Sequence, residues 1–104
     1  MAGSSRLTWT WPTRSGRVGF KDVAGHTRLS WQGHESARYI VEYQLGEGAV
    51  AMDGRIEVSG PVYEFGAVGP DYWRNYIQPY KVLRLRVRQK DGAAVSEWLT
   101  FRLE

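Results

Sequence analysis

The run Lys81-Val82-Leu83-Arg84-Leu85-Arg86-Val87-Arg88-Gln89 limits what this chain can fold into more than any other stretch. Leu83, Leu85 and Val87 fall on one side of it, and Arg84, Arg86 and Arg88 on the other. A period of two is the signature of an extended strand, because successive side chains point to opposite faces. A helix would scatter the same arginines around its barrel. The run therefore predicts a strand with one face in a core and one in water. Asp91-Gly92 is a reverse-turn signal, and Trp98-Leu99-Thr100-Phe101-Arg102-Leu103 alternates again. The two runs predict a hairpin with a longer loop, aliphatic residues inward, and an arginine ladder with Trp98 outward.

The same alternation recurs upstream. Leu29 and Trp31 share a side in Thr27–Gln32, and Tyr39, Val41, Tyr43 and Leu45 share one in the next run. Arg55–Val58 and Val62–Phe65 read as short strands, Ala49–Met52 as a short edge strand, and Asp53-Gly54 as a turn. Val18–Val23 reads as a short first strand of the globular part. Leu7-Thr8-Trp9-Thr10-Trp11-Pro12 reads as an edge strand ended by proline, or as an arm lying on a neighbouring molecule. Asp71–Tyr80 does not alternate; it is an aromatic-rich connection with room for one helical turn near 71–76. No segment carries a sustained helical apolar stripe. Many short strands separated by turns predict an all-β sandwich or barrel.

At 104 residues the chain makes one domain, able to bury a core without staples. It has no cysteine, hence neither disulfides nor thiolate metal ligands. This favours a protein made inside the cell, though bacterial secreted and virion proteins also go without cysteine. No apolar run is long enough to span a membrane, and none near Met1 reads as a signal-peptide core. Ala2-Gly3-Ser4-Ser5 reads as a mobile start or an expression scar. The net charge of +3 is mild, but residues 1–21 hold Arg6, Arg14, Arg17 and Lys21 with no acidic residue. Five tryptophans and six tyrosines must either fill a core or sit at interfaces.

Leu29-Ser30-Trp31, Tyr39-Ile40-Val41-Glu42-Tyr43, Arg86-Val87-Arg88-Gln89 with Asp91-Gly92, and Ser96-Glu97-Trp98 together resemble the fibronectin type III family. The resemblance covers residues 18–103. It implies an immunoglobulin-like β-sandwich of about seven strands over 18–104, with residues 1–17 as an arm or edge strand. It assigns Trp31 to strand B, Tyr39 and Val41 to strand C, the Arg-Val-Arg run to strand F, and Ser96-Glu97-Trp98 to the entry of strand G. Val62–Pro70 resembles strand E and the turn after it, with Val68 in the leucine position. The tyrosine-corner position holds Leu83 or Arg84 instead, and the connection from Pro70 to Tyr80 is longer than the family's. The wording of strands F and G is similar to modules in bacteriophage tail proteins and bacterial extracellular enzymes.

Three places carry candidate function. Arg84, Arg86 and Arg88 beside Trp98 form either a cation–π surface for a partner or a self-supporting sheet face; the latter is the favoured reading. Tyr72, Trp73, Arg74 and Tyr76 form either a recognition loop on a rigid scaffold or a cap over the core end. Trp9 and Trp11, with basic neighbours, form an arm that docks on an adjacent subunit, an extra strand, or a stretch that stacks on single-stranded nucleic acid. Nucleic acid is the less favoured partner. Trp31, Tyr39 and Phe101 belong to the core. His26 and His34 fall in turns with no ligand spacing. Glu47 and Asp53 read as surface charge. Gly46-Glu47-Gly48 lacks the lysine and hydroxyl of a phosphate loop, and no nucleophile elbow is present. Neither catalytic residues, metal nor cofactor is expected. The expectation is a non-enzymatic protein-binding module, foremost a phage tail or baseplate component, whose partners are other subunits or copies of itself. The alternative is a carbohydrate- or cell-surface-binding accessory module on the outside of a bacterium.

Overall fold

Val87 has no solvent exposure, and its neighbours across the sheet show why. In a computed structural model that describes residues 6–104, the run around it is a strand from Val82 to Gln89. The reading of residues 2–5 lies outside the described residues. In chain order the strands are β1 (Trp9–Trp11), β2 (Gly16–Val18), β3 (Arg28–Trp31), β4 (Arg38–Leu45), β5 (Met52–Ser59), β6 (Val62–Glu64), β7 (Val82–Gln89) and β8 (Leu99–Leu103). A short helix α1 (Phe20–Ala24) follows β2, and a helical segment over 70–80 joins β6 to β7. The strands form two sheets, ordered β1-β3-β6 and β2-β8-β7-β4-β5. Pairing is antiparallel except between β2 and β8.

Tyr39, Val41, Leu85, Val87, Leu99 and Phe101 from the larger sheet meet Trp9, Leu29 and Trp31 from the smaller one in a single core. The protein is thus an all-β sandwich-like fold, with the alternating positions of β4, β7 and β8 turned inward as their periodicity demands. Trp31 stands edge-on to Trp9 at 5.6 Å and to Tyr39 at 5.5 Å between ring centroids. Neither buried indole N–H finds a hydrogen-bond acceptor, so area and ring geometry hold this stack together. Ser96 locks the β7–β8 hairpin: Val87 N–H donates to its Oγ at 2.9 Å, and its own N–H donates to Val87 O at 2.8 Å.

Several expectations change. Among the described residues there are eight strands: residues 9–18 supply β1 and β2, and six follow where about seven were expected over 18–104. β1 pairs with β3, and β2 runs across the boundary expected between residues 17 and 18. The strand expected over Val18–Val23 stops at Val18 and becomes α1 at Phe20. The Asp22 carboxylate reaches back to accept the Gly19 N–H at 2.6 Å, the interaction that starts helices. Asp53-Gly54 is not a turn. Gly54 lies inside β5 opposite Tyr43, whose ring a Cβ at that position would approach to 2.5 Å. Glycine is there for a close approach. The turn lies earlier, at residues 46–51, where Gly46 and Gly48 take positive φ.

Trp9→Ala should cost about 3–5 kcal/mol of stability, the range for emptying an aromatic site in a core. Trp9→Phe should cost clearly less, because the N–H it deletes has no acceptor. Denaturant unfolding of both variants checks this; equal losses would contradict it.

Candidate partner-binding site

The sequence Gly69-Pro70-Asp71 opens a helix because proline is preorganised for the first helical position. Gly69 is the extended residue before it, and Trp73 N–H donates to Gly69 O at 3.0 Å. The segment runs through a short α-helix α2 (Pro70–Tyr72), a π turn (Trp73–Ile77) and a 3₁₀ turn (Gln78–Tyr80). It is helical throughout, where the sequence reading allowed one turn. Trp73, Ile77 and Tyr80 pack into a second apolar cluster with Val23, Leu45 and Leu103. The Trp73 Nε1–H donates to the Glu104 carbonyl at 2.7 Å. Trp73 therefore caps the core end and, at 7% exposure, presents little of its ring to solvent.

The opposite side of the segment faces out. Tyr72 is 54% and Tyr76 63% exposed, and their rings lie 5.1 Å apart, tilted at 43°. Arg74 is also exposed and pairs with Asp71 at 2.8 Å, a contact worth little in water. Beside the tyrosines an apolar groove of about 550 Å³ opens between the sheets. Its walls include Trp11, Met52, Ile56, Tyr63 and Phe65, and no charged side chain lines it. Sequence reasoning missed Met52, Ile56, Tyr63 and Phe65. Their strands are short or shifted from the expected ranges, so nothing local marked them as one wall.

The amino-terminal aromatics are not surface anchors. Trp9 is buried in the main core, and Trp11 is partly buried, stacked on His26 at 4.3 Å between centroids. A core tryptophan cannot bury itself against a neighbouring subunit or stack on a base, which corrects the expectation for Trp9. Trp11 also forms part of one wall of the groove.

The arginine ladder lies on the outer face of the larger sheet. Arg86 donates from Nε and Nη2 to Glu42 Oε1 at 2.8 and 2.7 Å, and its Cζ sits 4.6 Å over the Trp98 ring. Arg88 approaches the other Glu42 oxygen at 3.8 Å. Glu42 and Trp98 thus occupy these two guanidiniums, while Arg84 is exposed. Glu42 was missed because only the pairing of β4 with β7 brings it opposite Arg86. Further along the face, Arg38 and Lys90 hold Glu57 at 2.8 and 3.1 Å. The Lys90 hydrogen bond holds the Glu57 carboxyl below its usual value, with the Arg38 and Lys90 charges helping and partial desolvation opposing.

Among the described residues no cluster of three or more His, Asp or Glu could hold a metal ion, and no helix is long and apolar enough to cross a membrane. No protein-family model, curated protein or solved structure matches the chain.

Two outcomes follow. Because Glu57 titrates lower in the folded chain, its contribution is complete above the ordinary carboxylate value and fades as pH falls through the lowered one. Lys90→Met should move the Glu57 midpoint up in a carboxyl-detected NMR titration; an unmoved midpoint would remove Lys90 as the cause. Trp73→Phe keeps one aromatic ring but deletes both the donor to Glu104 and the five-membered half of a buried indole, so it should cost about 1–3 kcal/mol by denaturant unfolding.

Proposed function

We propose that the chain is a non-enzymatic protein-binding module on a fibronectin type III sandwich, serving as a subunit of a larger assembly. A phage tail or baseplate is the setting the sequence resemblance favours. Strand pairing supports the fold type. With β3, β4, β6, β7 and β8 in the places of strands B, C, E, F and G, B pairs with E, and F with both C and G, in separate sheets.

One observation carries the functional reading: Tyr72 and Tyr76 project from a helical segment fixed at its back by Trp73, beside a groove without charged lining. Protein interfaces concentrate aromatic anchors around apolar centres with a polar rim. Arg74 and Asp71 supply such a rim. The same geometry weighs against the carbohydrate-binding alternative. A sugar platform needs a flat row of aromatics; here Trp73 is turned inward and the two tyrosines are tilted. It also weighs against nucleic acid at the amino terminus, since Trp9 and Trp11 are already packed.

The double variant Tyr72→Ser, Tyr76→Ser should fold with a stability change within about 1 kcal/mol, as exposed substitutions do. It should lose partner binding. A photo-crosslinking residue in place of Tyr76, introduced in the producing cell and read by mass spectrometry, tests this. Crosslinks to the proteins of one assembled particle, lost with Tyr72→Ser, support the assembly reading. Glycan binding without any protein crosslink would overturn it in favour of the accessory module.

A further inference from the structure

Four strands end a sheet: β1 and β6 in the smaller one, β2 and β5 in the larger. Three of these are three residues long. β5 is different. It runs eight residues, Met52-Asp53-Gly54-Arg55-Ile56-Glu57-Val58-Ser59, paired with β4 along its full length without a register shift. It contains neither proline nor lysine. Natural edges are blunted by shortness, bulges, proline or lysine, because a long straight edge offers unpaired backbone groups to another strand. β5 is long, straight and free of proline and lysine, and its only guard is the outward charge of Asp53, Arg55 and Glu57.

We infer that the β5 edge pairs with the β5 edge of a second copy of this chain, antiparallel about a two-fold axis at Gly54. The inference goes beyond the proposed function, which uses the tyrosine face of the helical segment, and stands without it. Side-chain chemistry selects this register. The pleat requires outward residues to meet outward ones. An axis at Asp53 would set that carboxylate against its own copy. An axis at Arg55 would set arginine against arginine and Asp53 against Glu57. An axis at Ile56 would set Arg55 against Glu57, which Arg38 and Lys90 already hold, and Asp53 against Ser59. Only the Gly54 axis sets Asp53 against the second copy's Arg55 and Arg55 against the second copy's Asp53. Neither Asp53 nor Arg55 has an ion-pair partner among the described residues.

The inward row agrees. With the axis at Gly54, Met52 meets the second copy's Ile56, and Ile56 its Met52. Met52 is 45% exposed in the single chain. A large exposed apolar residue therefore gains a cross-strand neighbour in the register that also matches the charges. Opposite charges and apolar pairs facing across strands each stabilise a sheet, and like charges directly opposite destabilise it. The interface is isologous and closes at two copies.

Sedimentation equilibrium of the 104-residue chain at low ionic strength, from low to high micromolar, tests the inference. The expected result is a reversible shift from 11.9 kDa to twice that mass. Arg55→Asp alone and Asp53→Arg alone should each weaken dimerisation about tenfold or more, since each sets like charges opposite. Mixed one to one, the two variants should form a heterodimer, because aspartates on one chain then face arginines on the other at both positions. A wild-type chain that stays monomeric throughout overturns the inference. So do single variants that dimerise as the wild type does, and a mixture as monomeric as its components. Should either variant fail to fold, hydrogen exchange of the wild type decides. Protection of β5 amides that rises with protein concentration supports the edge pairing, and concentration-independent exchange there refutes it.

Discussion

The edge-to-face stack of Trp9, Trp31 and Tyr39 is what the rest of the fold answers to. It links β1 and β3 of the smaller sheet to β4 of the larger one, with Trp31 in the middle. Aromatic rings of this size bury on the order of 150–250 Å² each and lose much of that if either neighbour shifts. Local chain geometry follows from it. The Tyr39 hydroxyl accepts the His34 N–H at 2.9 Å, which fixes the turn between β3 and β4. Gly33 is needed there because a Cβ would run into the Tyr39 hydroxyl. Gln32 N–H donates to Thr8 O at 2.8 Å, so the strand that delivers Trp9 is tied to the same turn. A three-residue edge strand is held by the burial of its tryptophan more than by its few backbone bonds.

A second constraint works at the other end of the sandwich. Trp73 fills the gap among Val23, Leu45 and Leu103, and its indole N–H goes to the Glu104 carbonyl. The chain end is held in turn: Leu103 N–H donates to Lys81 O, and Glu104 N–H to Val18 O. This arrangement gives the helical segment its direction. With one side pinned, Tyr72 and Tyr76 have nowhere to go but outward. Lys81, at φ 70°, takes a left-handed backbone at the exit of the segment. Such a conformation costs a non-glycine residue roughly 1–2 kcal/mol, and here it turns the chain from the 3₁₀ turn into β7.

Period-two alternation made β3, β4, β7 and β8 legible, because each buries one face and wets the other. The core membership of Trp31, Tyr39 and Phe101 followed from that phase alone. The helical segment was obscured because its signal lies in spacing across residues that are all aromatic or apolar. Trp73, Ile77 and Tyr80 recur at steps of four and three on the buried side, while Tyr72 and Tyr76 recur at four on the wet side. That pattern separates the two roles within one aromatic cluster, and composition cannot. Asp53-Gly54 misled for another reason. Glycine marks turns by its backbone freedom, but here it serves a ring from the adjacent strand, which no local window contains. Glu42 and the groove wall of Met52, Ile56, Tyr63 and Phe65 depend on strand order in the same way.

The two surfaces assigned above share residues. Met52 and Ile56 line the groove beside Tyr72 and Tyr76, and they also lie on the inward row of the β5 edge. Whatever fills the groove must touch side chains whose rotamers a β5 pairing would fix. Binding at one place then carries a free-energy coupling to the other, and linkage makes that coupling equal in both directions. Its sign rests on Met52. A flexible thioether can serve either site, but one rotamer cannot reach across to a second copy and turn under the groove at once. If the paired edge holds Met52 away from the groove, the groove widens for a bulky apolar side chain and pairing favours partner binding. If pairing turns it inward, the two compete. The proposed pairing and the proposed recognition thus converge on one unbranched side chain at the longest open edge of the sandwich.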